Sequence, residues 1–164
     1  MDDTLRKTDE SILILPGAVV IGDVTLGEGV SIWYNAVVRG DEGAIVIGDF
    51  TNVQDGAVLH SDTRVGAGCT IGHAAVVHGC TIGDHTLIGM GAVLLDGAEI
   101  GNSCVIGAGA LVTGRTKVPD GCLALGSPAK VIRALTQEEI ERNRNYARDY
   151  LKMSASVRMS GFTG

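Results

Sequence analysis

Residues 82–112 read IGDHTL-IGMGAV-LLDGAE-IGNSCV-IGAGAL-V, and an aliphatic residue opens every hexapeptide of this stretch. A small residue often stands four positions after it. An amphipathic helix repeats every 3.6 residues and a half-buried strand every two, so neither explains a period of six. This period predicts short flat strands joined by tight corners, with the aliphatic residue pointing inward. We expect the glycine that often follows it to supply the corner dihedrals.

The same series extends from Ile14 to Val118, with a three-residue insertion before Ile47 and one residue missing after Val77. Three hexapeptides make one triangular coil. Stacked coils form a parallel β-helix, in which each coil supplies hydrogen bonds to the next. We therefore predict an all-β fold with a β-helix domain over residues 1–122.

The pattern stops after this domain. Residues 123–136 are predicted to be an exit loop. Thr136 and Glu139 form a capping box, which predicts the start of a helix. We place this C-terminal helix at residues 137–153, packed on the β-helix, and expect residues 154–164 to form a tail.

Composition limits the classes of function. The net charge of −6 argues against a nucleic-acid surface. There is no apolar run of 18 residues and no basic segment followed by an apolar one at the N-terminus. We therefore expect a cytoplasmic protein with no membrane partner. The four cysteines form no CxxC pair, and we expect all four to be reduced and structural.

Two histidines occupy one column of the repeat. His60 and His78 are 18 residues apart, and each directly follows an aliphatic residue. Arg39 lies 21 residues before His60, which is one coil plus the insertion. Stacked strands lie about 4.8 Å apart. Two imidazoles at that spacing can share one metal ion.

His73 is predicted to lie around a corner from this pair, with Asp55 in its own column 18 residues earlier. A catalytic zinc needs three protein ligands and one open position, and one chain supplies only two here. A symmetric trimer would bring His73 of one subunit to His60 and His78 of the next. The alternative is that His73 is a solvated corner residue.

Several motifs resemble those of the gamma-class carbonic anhydrases. They are RGDE at 39–42, NVQDG at 52–56, LH at 59–60, GHAAVVHG at 72–79, GMGA at 89–92 and GSPA at 126–129. The resemblance covers residues 11 to 151. It implies a left-handed β-helix, a hand that periodicity alone does not give, and a homotrimer with metal sites between subunits.

The resemblance also implies residue roles. The metal, Zn²⁺ with Fe²⁺ or Co²⁺ as alternatives, would be bound by His60, His73 and His78. Arg39 and Asp41 resemble a pair that bridges subunits and orients the site. Gln54 resembles a residue that hydrogen-bonds metal-bound water, Asp55 is its neighbour, and Tyr150 resembles a tyrosine near the metal.

The implied reaction is a lyase reaction, the reversible hydration of CO₂ to bicarbonate by a metal-bound hydroxide. Some relatives have a long acidic loop between the first two histidines that carries a proton-shuttling glutamate. Here this interval is reduced to 13 residues. Glu42 remains as a lesser relay, so weak activity is expected. The alternatives are a CoA-thioester hydrolase or acyltransferase on the same fold, and a trimeric scaffold with a weak or vestigial metal site.

Overall fold

The computed structural model describes residues 5–6 and 10–159 of the chain. The strands are β1 (Leu5–Arg6), β2 (Leu13–Ile14), β3 (Val19–Leu26), β4 (Ser31–Ile32), β5 (Val37–Ile47), β6 (Asn52–Val53), β7 (Val58–His60), β8 (Thr63–Val65), β9 (Thr70–Ile71), β10 (Val76–His78), β11 (Thr81–Ile82), β12 (Leu87–Ile88), β13 (Val93–Leu94), β14 (Glu99–Ile100), β15 (Val105–Ile106), β16 (Leu111–Val112), β17 (Lys117–Val118), β18 (Cys122–Gly126) and β19 (Ala129–Ala134). One helix, α1 (Gln137–Met159), follows them.

Strands one coil apart pair in parallel and build three faces. One face runs β2-β4-β6-β9-β12-β15-β18, with β19 added at its end. The other two faces are joined because the long strand β5 turns a corner and pairs with both β7 and β8. The predicted parallel β-helix of hexapeptide repeats with a C-terminal helix is confirmed.

The aliphatic columns form the core, as the period predicts. Ile32, Val53, Ile71, Ile88 and Ile106 stack along one face, and none has solvent-exposed surface. Burial of such a side chain contributes about 1.5–3 kcal/mol. Stacking therefore stabilises each coil only when its neighbours are present, which is the energetic basis of a solenoid.

The predicted role of the glycines is wrong in one respect. The left-handed dihedrals occur three residues after the aliphatic residue, where either glycine or another residue stands, such as Gly91 with φ 64° or Ala74 with φ 56°. The glycine directly after the aliphatic residue serves a different purpose. A Cβ on Gly89 would lie 2.4 Å from the backbone N of Ala108. Glycine is needed there because adjacent coils approach so closely.

The predicted exit loop at residues 123–136 is also wrong. β18 pairs in parallel with β15, and β19 then pairs antiparallel with β18. This hairpin forms because it covers the exposed edge that the last coil would otherwise leave.

The helix begins as predicted but ends six residues later, at Met159 rather than 153. Glu139 N–H donates to Thr136 Oγ1 at 3.2 Å, and Thr136 N–H donates to Glu139 Oε2 at 2.9 Å, which confirms the capping box. The last turns are held because Ser154 is buried and Arg158 donates to the Glu10 carbonyl at 2.8 Å. The tail beyond residue 159 lies outside the described residues, and the division into domains remains a prediction.

Within residues 5–6 and 10–159, no helix has the length and apolar character needed to cross a membrane.

Candidate metal centre

His60 and His78 end strands β7 and β10 and stand directly opposite each other in the parallel register. Their ring centroids are 5.0 Å apart. His60 Nδ1 and His78 Nε2 face each other at 3.1 Å. Arg39 occupies the same column on the preceding coil, opposite His60. The predicted column of one arginine and two histidines is therefore confirmed as a structural arrangement.

The outer nitrogens of both rings meet carboxylates. His60 Nε2 lies 3.3 Å from Asp41 Oδ1 and 3.8 Å from Glu42 Oε2. His78 Nδ1 contacts Asp96 Oδ1. Asp41 is in turn paired with Arg39 at 2.8 Å. Burial raises the pKa of Asp41, but hydrogen bonding from its own backbone and the charge of Arg39 outweigh this effect, so the pKa is lowered.

These carboxylates determine which nitrogens are free to bind a metal. A carboxylate accepts a hydrogen bond, so the ring nitrogen facing it carries the proton in the neutral imidazole. Both inner nitrogens then present lone pairs to each other, which is unfavourable unless a cation lies between them. Two ligand nitrogens on one tetrahedral zinc are separated by about 3.3 Å, given Zn–N bonds near 2.05 Å. The observed 3.1 Å fits a shared metal ion.

The third histidine lies on another face. His73 follows β9 at a corner, where its Nδ1 is 2.8 Å from Asp55 Oδ2. Its Nε2 lies 3.5 Å from the Tyr150 hydroxyl. The part of the chain that the structure describes contains no cluster of three or more His, Cys, Asp or Glu residues that could hold a metal. A single chain thus brings together two of the three candidate ligands.

Gln54 belongs to the same side of the molecule as His73. It is 5% exposed, and its amide Nε2 donates to Asn52 Oδ1 at 3.2 Å. Together with His73 and Tyr150 it lines a groove of about 450 Å³. The ring of Tyr150 packs edge-on against Trp33, with centroids 5.1 Å apart. Burial, with a smaller contribution from Asp55, raises the pKa of Tyr150.

The candidate residues therefore form two separate groups. The first, on the face of β7 and β10, consists of Arg39, Asp41, Glu42, His60 and His78. The second, at the corner near α1, consists of Gln54, Asp55, His73 and Tyr150. The structure gives no contact between the two groups within one chain.

Asp96 belongs to the first group and was not anticipated from the sequence. Val76 and Val77 pair with Val93 and Leu94, an offset of 17 rather than 18. This offset follows from the residue missing after Val77. Counting 17 onward places Asp96 opposite Gly79, beside His78, so the sequence did contain the signal.

Comparison with known proteins supports the same assignment. The repeat family described as bacterial transferase hexapeptide (six repeats) matches residues 79–114. A protein of Methanocaldococcus jannaschii named "Probable carbonic anhydrase" is 48% identical over 90% of this chain and 96% of its own length. Gamma carbonic anhydrase 2, mitochondrial, of Arabidopsis thaliana is 41% identical over 93% of this chain, which spans only 58% of that protein.

Solved structures agree on the fold. A hexapeptide transferase family protein from Anaplasma phagocytophilum superposes with a TM-score of 0.88, at 40% identity and 90% coverage of both chains. The name of this protein refers to transferases, so the fold alone does not choose between reactions. The identity to proteins named carbonic anhydrase, one of them of similar length, is more specific: the chain belongs to the gamma-class carbonic anhydrase family.

Proposed function

We propose that the chain forms a homotrimer that catalyses the reversible hydration of CO₂ to bicarbonate at metal sites between its subunits. His60 and His78 of one subunit and His73 of its neighbour would hold each metal. The observation that carries this proposal is the pair of facing ring nitrogens, 3.1 Å apart, each on a ring whose other nitrogen meets a carboxylate.

The donor set suits a divalent transition metal. Three neutral imidazoles favour Zn²⁺ and also accept Fe²⁺ or Co²⁺. Such an ion, when bound, makes water available as a nucleophile near neutral pH. His73 is prepared in the same way as the other two histidines, because Asp55 holds its Nδ1 and leaves Nε2 for the metal.

The surrounding residues have separate roles in this proposal. The amide of Gln54 orients the attacking oxygen and CO₂ by hydrogen bonds. Glu42, whose side chain is 71% exposed beside His60, passes the released proton to solvent. The Tyr150 hydroxyl, adjacent to His73, borders the substrate. Arg39 and Asp41 hold His60 and extend to the neighbouring subunit.

A second candidate reaction is the hydrolysis of an acyl thioester. The groove beside His73 is largely apolar, with Leu87, Met90 and Val105 among its lining residues. Its volume of about 450 Å³ could accept a substrate larger than CO₂. The two reactions would use the same nucleophile, so only assays on both substrates separate them.

The test is metal analysis of protein purified without air, followed by a CO₂ hydration assay and an acetyl-CoA hydrolysis assay on the same sample. We expect one metal per chain and hydration activity, and loss of both in His78→Ala. A metal content near zero in freshly purified protein would contradict the proposal. Thioester hydrolysis without CO₂ hydration would favour the second candidate.

A further inference from the structure

We propose that Asp96 is the positioning residue of His78: it fixes the tautomer and orientation of the ring so that Nε2 points to the metal. This inference rests on the proposed metal site for its functional meaning. The contact between Asp96 Oδ1 and His78 Nδ1 is the observation from which it starts.

The backbone around this contact is shaped to permit it. Gly79 lies between His78 and the next coil, and a Cβ there would come within 2.2 Å of Asp96 Oδ1. Any larger residue at position 79 would therefore occupy the space that the carboxylate uses. The Asp96 segment is also fixed on both sides, since Leu95 N–H donates to Val112 O at 3.0 Å and Gly97 N–H donates to Gly79 O at 2.8 Å.

Asp96 contributes little to folding. Its side chain is 72% exposed and that of His78 is 37% exposed, and exposed pairs of this kind contribute little to stability. The same arrangement recurs at the other two histidines, where Asp41 meets His60 and Asp55 meets His73. A carboxylate behind each ring is the arrangement that orients histidine ligands in metal sites.

The chemistry of the contact gives a measurable consequence. A carboxylate on Nδ1 selects the neutral tautomer that is protonated at Nδ1, and the lone pair then lies on Nε2. Without Asp96 the isolated tautomer equilibrium would return, and the ring would be free to rotate. The metal would then have to recover this ordering from its own binding energy.

Three variants separate orientation from charge. Asp96→Ala removes the acceptor, and Asp96→Asn keeps an acceptor oxygen but not the charge. Glu99→Ala is the matched control, because it removes an exposed carboxylate three residues away whose partner is Lys117 at 3.0 Å. Each protein is stripped of metal with a chelator. The tautomer of each histidine is then read at pH 9 from ¹⁵N chemical shifts in long-range ¹H–¹⁵N spectra.

We expect His78 to be protonated at Nδ1 in the wild type, Glu99→Ala and Asp96→Asn, and to be a mixture of tautomers in Asp96→Ala. Zinc affinity, measured by chelator competition, should fall about 10- to 100-fold in Asp96→Ala, less in Asp96→Asn, and stay unchanged in Glu99→Ala. An unchanged tautomer in Asp96→Ala would overturn the inference, as would equal affinity losses in Asp96→Ala and Glu99→Ala.

The two proposals fail differently. If wild-type protein bound no zinc, the metal site would be wrong, but the spectra of metal-free protein would still decide whether Asp96 orients His78. If zinc bound tightly and the tautomer did not depend on Asp96, only the role of Asp96 would be wrong.

Discussion

Replacing Gly89 and Gly91 separately by alanine distinguishes the two roles of glycine in this coil. In Gly89→Ala the new Cβ would lie 2.4 Å from Ala108 N and 2.6 Å from Gly107 C, both backbone atoms of the next coil. Ordinary contact begins near 3.4 Å, so the coils must move apart by about 1 Å. The hydrogen bond from Gly89 N–H to Ile106 O, at 2.8 Å, would be strained as well. Overpacking against atoms that cannot rotate away should cost about 3 kcal/mol.

Gly91→Ala meets no such obstacle, because a Cβ there has nothing within 4 Å. Its cost comes from the backbone, since φ is +64°. The left-handed conformation costs an alanine about 1–2 kcal/mol. The reduced entropy of the unfolded chain offsets about 0.4–1 kcal/mol of this. The net loss should therefore be about 1 kcal/mol.

Urea unfolding at one fixed protein concentration measures both changes. With a slope of about 2 kcal/mol per molar, the midpoint should fall by about 1.5 M in Gly89→Ala and by about 0.5 M in Gly91→Ala. Equal losses, or a larger loss in Gly91→Ala, would refute the conclusion that close approach of the coils determines the glycine after the aliphatic residue.

Three further predictions follow from particular side chains. Burial raises the pKa of Cys69 and of Cys80 to about 12, so at pH 8 a thiol reagent should label the half-buried Cys122 first and reach all four thiols only after unfolding; rapid labelling of Cys69, located by mass spectrometry, would contradict this. Hydrogen bonds from Arg133 and the Thr136 backbone lower the pKa of Glu139 to about 2. Its contribution to stability should be complete above its ordinary pKa of 4.5 and be lost as the pH falls towards 2, so Glu139→Gln should flatten the acid dependence of unfolding between pH 5 and 2, and an unchanged slope would count against the assignment. Tyr150→Phe keeps the ring on Trp33 but removes the hydroxyl beside His73; the unfolding midpoint should hold while CO₂ hydration slows, and an unchanged rate would exclude that hydroxyl from the site.

The sequence predicts those features of the fold that depend on its period. The inward columns and the register of His60 on His78 followed from counting, because a β-helix places residues one coil apart directly above each other. The hairpin of β18 and β19 did not follow, since residues 126–128, Gly-Ser-Pro, have the composition of a loop and the strands around them leave the repeat. Asp96 was missed because the residue absent after Val77 changes the offset from 18 to 17. The role of glycine was misjudged because sequence does not reveal the distance between coils.

The central claim, a metal site shared between subunits, is tested most directly by subunit complementation. His73→Ala and His78→Ala chains carrying different affinity tags are refolded together, and trimers that contain both tags are isolated. In a closed cyclic trimer every mixed assembly has one interface at which the His73→Ala chain supplies His60 and His78 and the other chain supplies His73. The account predicts one metal ion per mixed trimer, against three in the wild type and none in either parent. Mixed trimers that bind no metal would contradict it.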